Sequence, residues 1–152
     1  FLDSMIMIPY IIPGIVLGLG LIVTYNSKPF VLVGTPLIII LVIFIRRLPY
    51  SVRSSASILK QIRTGFEEAA INLGTIPSQA FLKITLPPMM PGVIAGFVTA
   101  INELSSSIIL YVGGTVTMPV RIYLSVLNGE FGTAAELSSI VLITTGLAVY
   151  GV

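Results

Sequence analysis

The sequence predicts an all-α polytopic membrane protein, with four transmembrane helices and one cytoplasmic helix-turn-helix loop. Composition is the first observation. Hydrophobic residues make up 55% of the chain and charged residues only 9%, with a mean hydropathy of +1.05, whereas a soluble domain carries about 25% charged residues. The second is a set of four apolar runs, at about 5–25, 30–48, 91–112 and 137–152. The third is charge placement: most of the 8 basic residues fall between the second and third runs, in a polar stretch at about 46–90.

The first run, Met5 to Tyr25, carries no charge. A helix needs roughly 20 apolar residues to cross about 30 Å of hydrocarbon, so this run spans. Pro9 and Pro13 kink it, and Gly14 and Gly18 have the small-xxx-small spacing that lets helices approach closely. The second run, from Phe30, is short. Arg46 and Arg47 extend it by snorkelling to the headgroups. The linker Asn26-Ser27-Lys28-Pro29 makes these two spans antiparallel neighbours. The third and fourth runs begin near Pro91 and Leu137. Arg46, Arg47, Arg53, Lys60, Arg63 and Lys83 mark the 46–90 loop as cytoplasmic, against Lys28 and Arg121 on the other side. The chain starts without methionine and stops inside an apolar run, so 1–152 reads as an internal fragment of one transmembrane domain.

Within the loop, Leu59, Ile62, Phe66, Ala69 and Leu73 form one helical stripe. Gly74 follows, where a positive φ ends a helix. Thr75 caps a second helix with Pro77 in its first turn; Phe81 and Ile84 form its buried side, and Pro87-Pro88 stops it. Ala69 and Ala70 present a flat patch for close backbone approach, and Glu67 and Glu68 offer charge to a partner. The same residues also suit an amphipathic helix resting on lipid headgroups.

Glu-Ala-Ala (68–70), Gly74 and then Ile84-x-Leu86-Pro87 keep the spacing of a known motif. Here the chain resembles the permease subunits of bacterial binding-protein-dependent, type I ATP-binding-cassette importers. The resemblance implies that Glu67, Glu68, Ala69, Ala70, Gly74, Ile84, Leu86 and Pro87 form the coupling element that seats in a dimer of ATPase subunits. It also implies a second permease copy or half, a periplasmic or extracellular substrate-binding protein, and a multi-pass place in the bacterial inner membrane. ATP and Mg belong to the ATPase in that family, and the chain itself is no enzyme. In agreement, it has no G-x-x-x-x-G-K-[ST] phosphate loop.

Asn102 and Glu103 fall at the middle of the third run, ahead of Ser105, Ser106 and Ser107. A carboxylate there costs on the order of 3 kcal/mol and has to face protein or water. It either lines a translocation pathway or holds helices together. Asn102 to Tyr111, Thr117 to Tyr123 and Gly129 to Ala135 resemble the ferric-iron branch of the family; polyamine, thiamine and phosphonate permeases share parts of them. Between the third and fourth runs, Val120 to Leu127 reads as an interfacial helix. Arg121 and Glu130 there are either docking charges for the binding protein or solvated side chains.

With Cys 0 and His 0, thiolate and imidazole metal sites are excluded, and the usual general base is missing. A net charge of +2 gives no footprint for nucleic acid. No cofactor is expected on the chain. An ion-coupled secondary transporter is the alternative from another class; it needs ion sites near unwound helices and no ATPase.

Overall fold

The computed structural model describes residues 2–61 and 65–150, and all regular structure among them is helical. The first apolar run is two helices, α1 (Leu2–Ile11) and α2 (Gly14–Thr24). Pro13 separates them, extended at φ −54° and ψ 135° as the N-cap of α2. The kink expected from the proline is therefore a full break.

The second helix departs from expectation at both ends. The segment from Phe30 is irregular until α3 begins at Pro36, and α3 then continues to Gln61. Thr35 bonds back to the Leu32 carbonyl through both its N–H (3.1 Å) and its hydroxyl (2.7 Å). Proline disfavours a helical residue before it but is at home in a first turn, so the helix starts at Pro36. No break follows Arg47, because Pro49 is accommodated inside the helix. At 26 residues α3 is about 39 Å long, more than a hydrocarbon core needs.

After α4 (Gly65–Asn72), the chain turns into α5, Pro77–Ile101, 25 residues long. Pro87-Pro88 does not stop this helix. A π-helical turn at Phe81–Thr85 precedes the prolines, and the Leu86 N–H reaches back to the Phe81 carbonyl. Widening the turn changes the hydrogen-bond register where two N–H groups are missing, so the helix passes through. One consequence is that the second loop helix and the third span are one element. Another is that the third run is not a single helix to residue 112: α5 ends at Ile101, and a short α6 (Ser107–Leu110) follows.

The outer segment forms α7 (Met118–Leu127), as its apolar spacing predicts, and α8 spans Phe131–Tyr150. α8 starts before Leu137 because Gly129, at φ +77°, turns the chain tightly. Glu130 N–H bonds to the Ser125 carbonyl and Gly129 N–H to the Val126 carbonyl, a paired C-terminal closure that leaves Phe131 free to start a helix. Among the described helices, α5 and α8 are long and apolar enough to cross a membrane.

Leu21 of α2, Ile38, Ile39 and Val42 of α3, and Leu110 of α6 make the buried core. α3 and α5 pack antiparallel, with Gly96 against Ser51 and Gly92 against Ser54. A Cβ on Gly92 would stand 2.6 Å from the Ser54 hydroxyl, so the two backbones come close only because this face is small.

Candidate functional site

The α3–α5 seam sets up the first of two sites. Past Gly92 and Gly96, the antiparallel register brings the end of α5 level with Arg46 and Arg47 on α3. Asn102 caps α5 and folds its side chain onto the Val98 carbonyl at 2.8 Å. Glu103 then points the other way and is 2% exposed.

Both carboxylate oxygens of Glu103 are used. Arg46 donates to Oε1 and Arg47 to Oε2. Ser106 adds its hydroxyl at 3.0 Å and its N–H at 3.3 Å, both to Oε1. Consecutive helical residues diverge by about 100°, so two guanidinium groups converge on one carboxylate only when it lies across the groove between them. The break after Ile101 places it there. Gly14 closes the third side: a Cβ on it would meet Ser105 Cβ at 2.9 Å and the Ser106 nitrogen at 3.0 Å.

This arrangement corrects two sequence expectations. Arg46 and Arg47 do not run to the headgroups, with side chains only 14% and 21% exposed. A buried carboxylate offers them more than a headgroup does, because charge-assisted hydrogen bonds strengthen away from water. Glu103 is not inside a helix but in the irregular segment between α5 and α6. It also forms part of the wall of an open-sided cavity of about 620 Å³ with Phe97, Ile101, Thr117, Met118 and Leu147, so α3, α5, α7 and α8 all contribute. Asn102 does not line that cavity. The two residues that the sequence puts side by side therefore part company.

The second site is the corner between α4 and α5. Gly74 has φ +92°, as its place after the apolar stripe predicts. Thr75 N–H bonds to the Ala70 carbonyl and Gly74 N–H to the Ile71 carbonyl, closing the end of α4. Thr75 does not cap α5; Ile76 is the N-cap, extended and without a side-chain bond, and Pro77 opens the helix. Glu67, half-buried, accepts the Thr85 hydroxyl at 2.9 Å through one carboxylate oxygen and so ties α4 to the π-turn. Nor do Phe81 and Ile84 form the buried side of α5 here; Ala80 and Thr85 do. Phe81 is exposed and Ile84 half-buried.

Glu68, Ala69 and Pro87 are exposed, and Ala70 and Leu86 are half-buried. No residue of α4 is buried, and Leu73 is 88% exposed. Ile62 of the predicted stripe lies outside the described residues. On α7, Arg121 is exposed, and Glu130 beyond it accepts a long 3.5 Å bond from the buried Ser125 hydroxyl. Among the described residues, no group of His, Cys, Asp and Glu is arranged to hold a metal ion.

Sequence reading missed the partners of Glu103, Ser106 included, and the Gly92/Gly96 face. The glycine spacing was a usable signal. So was the Arg-Arg pair next to an apolar run that contains one acid.

The sequence profile of the family described as "Binding-protein-dependent transport system inner membrane component" matches residues 1–151. The chain is 27% identical over 146 residues to the ferric transport system permease protein FbpB of Actinobacillus pleuropneumoniae, covering 93% of this chain and 21% of that protein. A Salmonella typhimurium protein provisionally named as a 2-aminoethylphosphonate transport system permease protein, PhnV, is 25% identical over 149 residues, or 95% and 56% of the two lengths. A Nephroselmis olivacea protein named as a probable sulfate transport system permease protein, cysT, is 27% identical over 161 residues, or 93% and 56%. The chain thus spans from about a fifth to just over half of the length of these relatives. With the match running from the first described helix through the last, the chain belongs to the inner membrane component family of binding-protein-dependent transport systems.

Proposed function

We propose that the chain is the membrane-spanning core of a permease subunit in an ATP-driven importer, carrying a solute from a binding protein to the cytoplasm. The α4–Gly74–α5 corner carries this reading. Its two helices are joined by the glycine turn and by the Glu67–Thr85 bond. It also leaves Phe66, Glu68, Ala69, Leu73 and Ile76 uncovered on one short element. Force applied there passes into α5, because α5 runs unbroken from Pro77 to Ile101. Seated on a dimer of ATPase subunits, the corner turns nucleotide-driven motion into movement of α5 against α3. ATP and Mg stay with the ATPase, and this chain binds no cofactor.

α1–α2, α3, α5 and α8 are the four spans in this reading. Arg53, Lys60, Arg63 and Lys83 keep the excess of basic charge on the corner's side, against Lys28 and Arg121, and so assign it to the cytoplasm. α7 with Arg121 and Glu130 then faces the binding protein, and a second permease copy or half completes the pathway in the lipid. Ferric iron is the cargo that the motif resemblance and the FbpB relative favour. Phosphonate and sulfate follow from the other relatives, and polyamine and thiamine from the shared motifs.

The test is uptake into proteoliposomes holding the full permease, its ATPase and its binding protein, with labelled iron, 2-aminoethylphosphonate and sulfate tried in turn. Uptake of one of them that needs internal or external ATP on the ATPase side supports the proposal. Uptake driven by an ion gradient with no nucleotide identifies a secondary transporter instead.

A further inference from the structure

Charge around Glu103 does not cancel. Arg46 and Arg47 supply two positive charges and Glu103 one negative, which leaves one positive charge in a buried cluster. The Nε atoms of both arginines are buried without an acceptor. Burying a guanidinium donor unpaired is costly, so such donors mark a place for another acceptor.

Two cavities meet at the cluster. Glu103 lines the cavity of about 620 Å³, and Arg47 lines a second of about 450 Å³ along the α3–α5 face. They share Ile43, Phe97 and Ala100, so the two lie side by side along the cluster, Glu103 facing the first and Arg47 the second. Among the described residues, no other charged side chain lines either part. The walls are otherwise mainly apolar, and in such surroundings one net charge sets the sign of the local potential. Thr117 in the same wall has a buried hydroxyl with no partner, a further neutral donor for an oxygen ligand.

We infer that the groove at Arg47 and Thr117, with Arg46 behind it on Glu103, accepts anionic solutes, so that the transported species passes this point as an anion. The guanidinium groups attract it, and Glu103 holds both arginines in place while leaving a surplus. A bare cation is repelled here, so an iron cargo would pass as an anionic complex. This inference rests on the permease reading above and names the class of its cargo.

The test uses a probe that needs neither the cargo nor ATP. The chain has no cysteine, so Ala100→Cys in the full permease–ATPase complex places one identifiable thiol where the two cavities meet. Its peptide is followed by mass after treatment with anionic 2-sulfonatoethyl or cationic 2-(trimethylammonium)ethyl methanethiosulfonate. Rates are normalised to those of free cysteine.

The anionic reagent is expected to react faster by about tenfold, the effect of one surplus charge at this range in a partly solvated site. Arg47→Gln should bring the ratio close to one, Arg47→Lys should preserve it, and Glu103→Gln should raise it. Phe97→Cys serves as a second reporter where Ala100→Cys lowers the yield of complex. A ratio of one or below, or no reaction with either reagent at both positions, overturns the inference. Failure here leaves ATP-driven uptake intact, whereas failure of the permease reading appears in the uptake assay and not in the labelling ratio.

Discussion

Glu103 shows how much a single residue's role depends on what surrounds it. Removing the carboxylate leaves two largely covered guanidinium groups without their shared acceptor, and breaking a fully buried ion pair costs about 3–5 kcal/mol, an upper bound for these partly exposed arginines. Glu103→Leu should therefore lower the thermal stability and yield of the purified permease strongly. Glu103→Gln keeps an oxygen for Ser106 and the arginines, so it should retain most of the fold and lose only part of the stability. Melting curves of the two variants in one detergent check the order; equal stability of Leu and wild type would remove the structural role. The sequence made Glu103 legible as an exceptional residue, because it is an isolated acid in an apolar run. Its partners were not legible, because Arg46 and Arg47 lie more than fifty positions away, and only the antiparallel register of α3 and α5 brings them together. Likewise, nothing local announces that Glu67 is taken by Thr85.

Among the helices, small residues decide which faces meet. Gly14 and Gly20 lie on the same helix, but a side chain at Gly14 meets Ser105 and the Ser106 backbone, while nothing lies within 4 Å of Gly20. Gly14→Leu should displace α2 from the Glu103 cluster and lower stability by about 1–3 kcal/mol, as overpacking does. Gly20→Leu should be close to neutral, and comparable melting temperatures for the two variants would contradict the packing. A different constraint governs Gly74, where φ is +92° and there is space for a side chain. Gly74→Val should cost about 1 kcal/mol or more through backbone strain alone. It should uncouple ATP hydrolysis from uptake while the protein stays in the membrane, and normal coupling would count against the corner's role. Periodicity and the glycine made α4 and its end readable, as they did α7. Helix ends near proline were not readable: Pro36 starts a helix, Pro49 sits inside one, and Pro87-Pro88 is carried through by a π-turn. A proline removes one hydrogen bond, and the neighbouring turns decide whether the helix survives the loss.

Taken as a whole, the molecule is two sites joined by one long helix. The corner at Gly74 and the charged cluster at Glu103 stand at opposite ends of α5, whose small face packs along α3. Composition was enough to read the membrane class, and the motif spacing was enough to read the family. The number of helices was not readable, because the apolar runs do not coincide with them: one run holds α1 and α2, and another ends α5 and holds α6. The permease reading requires that the α4–α5 corner meet an ATPase. Leu73, 88% exposed at that corner, and Asn128, exposed at the end of α7, give two cysteine positions predicted to lie on opposite sides of the membrane. The most direct measurement is site-directed crosslinking of Leu73→Cys and Asn128→Cys in the assembled transporter, read by the mass of the crosslinked product. Leu73→Cys should give a product with the ATPase subunit, and Asn128→Cys none. An ATPase crosslink from Asn128→Cys, or none from Leu73→Cys in a complex that still hydrolyses ATP, would contradict it.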